Sequence, residues 1–217
     1  MNRTGHIGRT AGLGLISYGL GAAIAFATLG APGGDYEDTL VPSYVASSHW
    51  PAAFAIAYLG AISTLGLLLF GSAMRRMLPR SGDLVWGLSI AAVAVSVVGW
   101  FVDGGLVVAM AEGGHTVQSG VPDPVVYTIT EIGNLLAVCA PAFFIGVAAI
   151  VLARAGVLPR WLQVFSVVSG VCGILAPAFF TLFLFQLWTL VCGVALIRSE
   201  AARMPNPAPA GVAVEGS

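Results

Sequence analysis

Lysine is absent from this chain, and its nine basic side chains are all arginine. Charged residues of both signs make up only 9% of the sequence, where a soluble globular domain carries about 25%. So few charges cannot clothe a water-facing surface, which excludes an ordinary soluble domain and makes lipid the solvent. With a formal net charge of −1 there is no basic patch for nucleic acid. Cysteine is scarce as well. Cys139, Cys172 and Cys192 lie inside apolar runs without CxxC or metal-ligand spacing, and their odd number excludes a complete disulfide framework. They read as small apolar fillers. No Gly-rich phosphate loop, nucleophile elbow or ATPase motif occurs. His49 and His115 fall in loops without HxxxH or HxxE spacing, and His6 stands alone near the N-terminus, so neither a metal nor a cofactor is expected.

What the chain has in abundance is apolar sequence, 58% of all residues. A helix rises ~1.5 Å per residue, so about 20 residues cross a ~30 Å hydrocarbon core. On that scale the sequence predicts an all-α bundle of six transmembrane helices over 1–203. The spans are about 11–31, 50–74, 84–111, 125–153, 161–178 and 180–197, followed by a Pro- and Ala-rich tail, 204–217, expected to be disordered. The first span is rich in glycine, and Ser17 with Gly21 makes a small-xxx-small pair suited to close helix approach. Arg3 and Arg9, the apolar run and Ala25-Phe26-Ala27 also fit a secretory signal peptide, and either reading leaves residue 32 onward outside. Trp50 and Pro51 open the second span. A loop of turn residues is expected from Gly113 to Pro124, and the last two spans fold back near Pro177 to Thr181.

Arginine sets the orientation. In the six-span arrangement Arg3, Arg9, Arg75, Arg76, Arg80, Arg154, Arg160, Arg198 and Arg203 all fall on one side, and the outer loops hold none. By the positive-inside rule that side is the cytoplasm, so both termini are cytoplasmic.

Two acids are embedded in apolar segments, Asp103 and Glu131. Counted from Leu84, Asp103 lies ~28 Å up its helix; counted back from Arg154, Glu131 lies ~34 Å up the next. Both therefore sit near the outer edge of the hydrocarbon. Residues three or four apart share a helix face, so Trp100 goes with Asp103, and Tyr127, Glu131 and Asn134 form a second stripe with Val138 below. These stripes are expected to face each other. No basic residue lies at that depth, so at least one carboxyl is expected to hold its proton near neutral pH. The reading is an outward-facing apolar pocket with Asp103 and Glu131 as acids and Trp50, Tyr58, Trp100, Tyr127, Asn134 and Gln186 as lining residues. Pro141 and Pro177, both in the outer half, are expected to kink their helices and splay them around it.

Val102-Asp103-Gly104-Gly105, Glu131 in the next span and Val157-Leu158-Pro159-Arg160-Trp161-Leu162 resemble a group of small bacterial, chiefly actinobacterial, multi-pass membrane proteins, the domain of unknown function 4386 family. The resemblance covers roughly 99–165 and departs in the short Gly- and Pro-bearing loop after span three. It implies a six-helix fold in a bacterial plasma membrane and no particular activity. Two functions stay open. One is a non-enzymatic protein that binds a hydrophobic ligand or a membrane partner in the pocket. The other is a cofactor-free membrane enzyme using a protonated carboxyl as general acid on a lipid or terpenoid, similar in plan to membrane terpene cyclases and sterol isomerases. A proton-coupled transporter ranks third, since the acids are shallow and no inverted repeat is clear.

The topology is directly testable. Single cysteines placed at Tyr36 and Gln118 should react with an impermeant thiol reagent from outside the cell, and those at Leu78 and Pro205 only after the membrane is opened. Protection of position 118 from the outside would overturn the six-span arrangement.

Overall fold

The computed structural model describes residues 6–29, 50–120, 123–178 and 180–201, and every regular element among them is helical. In chain order these are α1 (Ile7–Leu29), α2 (Trp50–Thr64), α3 (Gly66–Met77), α4 (Gly82–Gly120), α5 (Asp123–Asn134), a π-helical turn (Leu135–Cys139), α6 (Ala140–Arg154), α7 (Arg160–Ile174), a 3-10 turn (Ala176–Ala178) and α8 (Phe180–Ala201). α2 continues into α3 across a break at Leu65, and α5 continues through the π turn into α6, so the described helices form six rods. Four stretches are long and apolar enough to cross a membrane: Ala57–Met77, Gly82–Leu106, Thr128–Arg154 and Phe180–Ser199. α1 has 23 residues, and α7 is shorter, at 15 residues or about 22 Å.

Lipid offers no hydrophobic drive for two helices to associate, so packing depends on how closely their backbones approach, and small residues permit that. The helix contacts follow this rule. A Cβ added at Gly146 would stand 2.6 Å from the Gly170 carbonyl, and one at Gly173 would stand 2.6 Å from that of Ala142, so α6 and α7 touch backbone to backbone. Gly12 meets Gly193, Gly14 meets Gly66, and Gly21 meets Ser63. Along a contact the numbers run in opposite directions, Gly14 against Gly66 then Gly21 against Ser63, and Ala142 against Gly173 then Gly146 against Gly170, so these neighbouring rods are antiparallel. α1 lies between α8 and the α2–α3 rod, which closes the sequence of rods into a ring. Inside are Tyr18, Phe70, Trp100, Phe185 and Trp188, all essentially buried. Outside are large apolar side chains, with Phe180 89% and Phe183 76% exposed. A surface of that kind is stable only against an apolar medium.

Antiparallel order gathers the arginines. Arg9 opens α1, Arg75 and Arg76 end α3, Arg80 lies in the next turn, Arg154 ends α6, Arg160 opens α7 and Arg198 lies near the end of α8. All are at one end of the bundle. The turns there are short. Leu78 donates its N–H to Met74 and Gly82 donates to Leu78, while Arg75 and Asp83 form an exposed ion pair of small energetic weight. Between α6 and α7, Gly156 takes φ +71°, a left-handed conformation suited to a residue without Cβ.

Two expectations are corrected. The segment from Gly113 to Gly120, read as loop, is helical and continues α4, and α5 begins at Asp123. Gly113-Gly114 costs a helix about 1 kcal/mol per residue relative to alanine, yet Ala, Glu, Val and Gln around it keep the ladder going. Pro177 does not kink a span. It sits in the 3-10 turn between α7 and α8, where Ala178 donates to Leu175 and the Thr181 hydroxyl donates to Leu175 at 2.8 Å. The expected disordered tail, 204–217, and the first outer loop lie outside the described residues.

Candidate functional site

α4 carries the chemistry at the end of the bundle away from the arginines. Asp103 is 2% exposed and Trp100, one turn before it, 1%. Each is received by a glycine on a different neighbour. The Trp100 ring occupies the space a Cβ at Gly60 of α2 would need, and the Asp103 carboxyl occupies the space a Cβ at Gly133 of α5 would need. Gly104 of α4 rests against Ala57 of α2, where an added Cβ would be 2.8 Å away. Glycines thus let three helices close tightly around one acid.

Neither oxygen of the Asp103 carboxyl makes a hydrogen bond to a described residue, and no basic side chain among the described residues pairs with it. The indole Nε1 of Trp100 and the hydroxyl of Thr130 are also buried without a hydrogen-bond partner among the described residues. Buried polar atoms in folded proteins are paired in roughly nine cases of ten. Three unpaired groups where α2, α4 and α5 meet are therefore exceptional, and an ionised carboxylate there would carry the heaviest desolvation cost.

The facing stripe on α5 is rotated from the expected one. Thr130, Gly133 and Ala137 are buried, while Glu131 and Asn134 are half-buried on the flank. The physical reason is size: the smallest side chains take the closest contact with α4, which moves Glu131 and Asn134 aside. Glu131 remains close enough to act electrostatically on both Asp103 and Cys139. Tyr58 is 48% exposed and meets Phe101 edge-on at 5.3 Å, so it borders the outer surface of the bundle. The side chains of Trp50 and Tyr127 lie outside the described residues. Gln186 belongs to another buried cluster. It lies beside Tyr18 of α1, which is also close to Cys139, whose thiol donates to the Ala176 carbonyl at 3.6 Å.

Sequence reasoning missed the hydroxyls that hold this region together. The carbonyl four residues before a proline has no i+4 donor. For Pro141 that carbonyl belongs to Ala137, and Ser96 of α4 donates to it at 2.6 Å. The Ser96 and Thr64 hydroxyls are 3.1 Å apart, and the Gly60 carbonyl accepts from both Ser63 and Thr64 at 2.8 Å. A proline inside an apolar span was the available signal, because it demands a donor from elsewhere. Among the described residues no group of three or more His, Cys, Asp or Glu side chains could hold a metal ion. No protein-family model, curated protein or solved structure matches this chain.

The contact between Asp103 and Gly133 can be measured as a coupling. Gly133→Ala should lower the melting temperature in detergent, at a cost of about 1–3 kcal/mol for overpacking. In an Asp103→Ala background the same substitution should cost at least about 0.5 kcal/mol less. Equal losses in both backgrounds would show that the carboxyl does not fill that space.

Proposed function

We propose that this chain is a six-span protein of a bacterial plasma membrane, with both termini in the cytoplasm, that binds an apolar ligand between α2, α4 and α5. α1 and the short α7 are the two spans beyond the four long apolar stretches, and the arginine-bearing end is the cytoplasmic one. Kinship with the domain of unknown function 4386 family is part of this reading and rests on the Val102-Asp103-Gly104-Gly105 segment, Glu131 in the next span and the Val157-Leu158-Pro159-Arg160-Trp161-Leu162 segment alone.

The observation that carries the reading is the buried Asp103 carboxyl, without a cation and without a hydrogen bond among the described residues. In its neutral form it is both a donor and an acceptor. With the Trp100 N–H as a second donor and the Thr130 hydroxyl as either, the region matches a ligand that is mostly hydrocarbon and ends in a hydroxyl or carbonyl oxygen, such as a sterol-like or terpenoid lipid. The half-buried Glu131 within electrostatic reach of Asp103 also favours a second reading. A neutral Asp103 would protonate a bound olefin, epoxide or carbonyl, and Glu131 would stabilise the cation that forms or take up its proton.

Native mass spectrometry of the protein released from its own membranes in mild detergent separates the cases. The binding reading expects a bound lipid of discrete mass, depleted at least tenfold in Asp103→Ala and retained in Gln186→Ala. Acid catalysis expects lipid bound to Asp103→Asn to differ in mass or double-bond position from that on the wild type. Equal retention of the same lipids in all variants would overturn both.

A further inference from the structure

Asp103 is buried by three helices, so a ligand reaches it only if some of them part. We propose that α2 and α5, the outer arms of their rods, form a gate that swings about a hydroxyl clasp centred on Ser96. The need for a gate rests on the binding reading above, whereas the hinge stands on geometry of its own.

Both rods that flank α4 are broken, and at the same level. The α2–α3 rod breaks at Leu65, where the Leu65 N–H bonds three residues back to Ile62. The α5–α6 rod breaks at the π turn Leu135–Cys139, where the Ala140 N–H reaches back to Leu135, and Pro141 follows with no N–H to give. Breaks of this type are where helices bend. Ser96 lies between them and touches both, accepting or donating at Thr64 beside the first break and donating to Ala137 in the middle of the second. Each hydroxyl has one proton. Ser96 spends its own on Ala137, which leaves the single Thr64 proton shared between Ser96 and the Gly60 carbonyl, where Ser63 also donates.

The described contacts of Trp100, Asp103 and Gly104 with α2 and α5 lie on the far side of this level from the arginines. Ala57 and Gly60 are on α2, and Thr130 and Gly133 are on α5. The arms meet α4 through glycine contacts, and the clasp is a polar link between α4 and the rods on either side at this level. Below it the glycine contacts between α1 and α3 and between α6 and α7 hold the rest of the bundle. Motion of α5, and of α2 against the contact of its Ser63 with Gly21 of α1, exposes the site while the rest of that base stays packed.

The test uses a charged methanethiosulfonate reagent on Thr130→Cys, added from outside, with native cysteines left in place and the adduct read on the peptide carrying position 130. Ser96→Ala releases the clasp and should speed modification by about 3- to 10-fold, the weight of one hydrogen bond. Pro141→Ala restores the missing N–H and should slow it. Adding Ser96→Ala to Pro141→Ala should then change little, because Ala137 has its donor again. No acceleration in Ser96→Ala, or independent effects of the two substitutions, would overturn the gate. If the cysteine variants do not fold, hydrogen exchange on Ser96→Ala alone decides: faster exchange in Asp123–Asn134 with Ala140–Arg154 unchanged supports the gate, and a uniform change or none overturns it. The reagent is not the ligand, so a working gate with no bound lipid would refute the binding reading and leave the hinge standing.

Discussion

Close approach of helix backbones across glycine is the interaction on which this architecture depends. Between helices in an apolar solvent there is no hydrophobic reward for contact, and what remains is dispersion, weak Cα–H···O contacts and the few hydrogen bonds that side chains supply. Gly146 against Gly170 and Gly14 against Gly66 bring carbonyls within reach of the opposing chain. Large side chains are accordingly divided between a few interior positions, such as Tyr18 and Trp188, and a lipid-facing exterior that includes Phe180 and Phe183. Small residues make the closest helix contacts, and large side chains fill the interior between those contacts and cover the lipid-facing exterior.

The same rule produces the candidate site. An acid can be enclosed by three helices only if the opposing surfaces are nearly bare, and Gly60, Gly104 and Gly133 supply that bareness around Trp100 and Asp103. It also explains why Glu131 is not the partner Asp103 faces. A glutamate at the closest point of α4 and α5 would hold the helices apart, so Gly133 takes that point and Glu131 stands at its side. Hydroxyls do the remaining polar work. Pro141 opens the α5–α6 rod at Ala137, and Ser96 closes the opening with one short hydrogen bond that extends to Thr64 on the other flank. Packing, polar satisfaction and the break in the helix are thus one local arrangement around α4.

Much of this was legible in composition and spacing. The apolar runs implied helices in lipid, and the arginine positions implied that one end of the bundle gathers them, as the antiparallel order of rods does. Asp103 stood out because an acid in an apolar run is costly wherever it points. Three features were not legible, for a shared reason. The face of α5 that meets α4, the continuation of α4 through Gly113-Gly114 and the role of Ser96 all depend on which residue of the neighbouring helix lies opposite. Periodicity assigns residues to faces of one helix, but the pairing of faces is decided by fit. Fit between helices in lipid is decided by the smallest residues, which a search for chemically active side chains passes over.

The central claim is that Asp103 is enclosed within the apolar bundle without a cationic partner among the described residues, a condition that only a neutral carboxyl satisfies at acceptable cost. Infrared spectroscopy of the protein in lipid at pH 7 addresses it most directly. The account predicts a protonated-carboxyl C=O band that disappears in Asp103→Asn and persists in Glu131→Gln. Absence of that band in the wild-type protein, or its survival in Asp103→Asn, would mean that Asp103 is ionised and solvated, and would contradict the account.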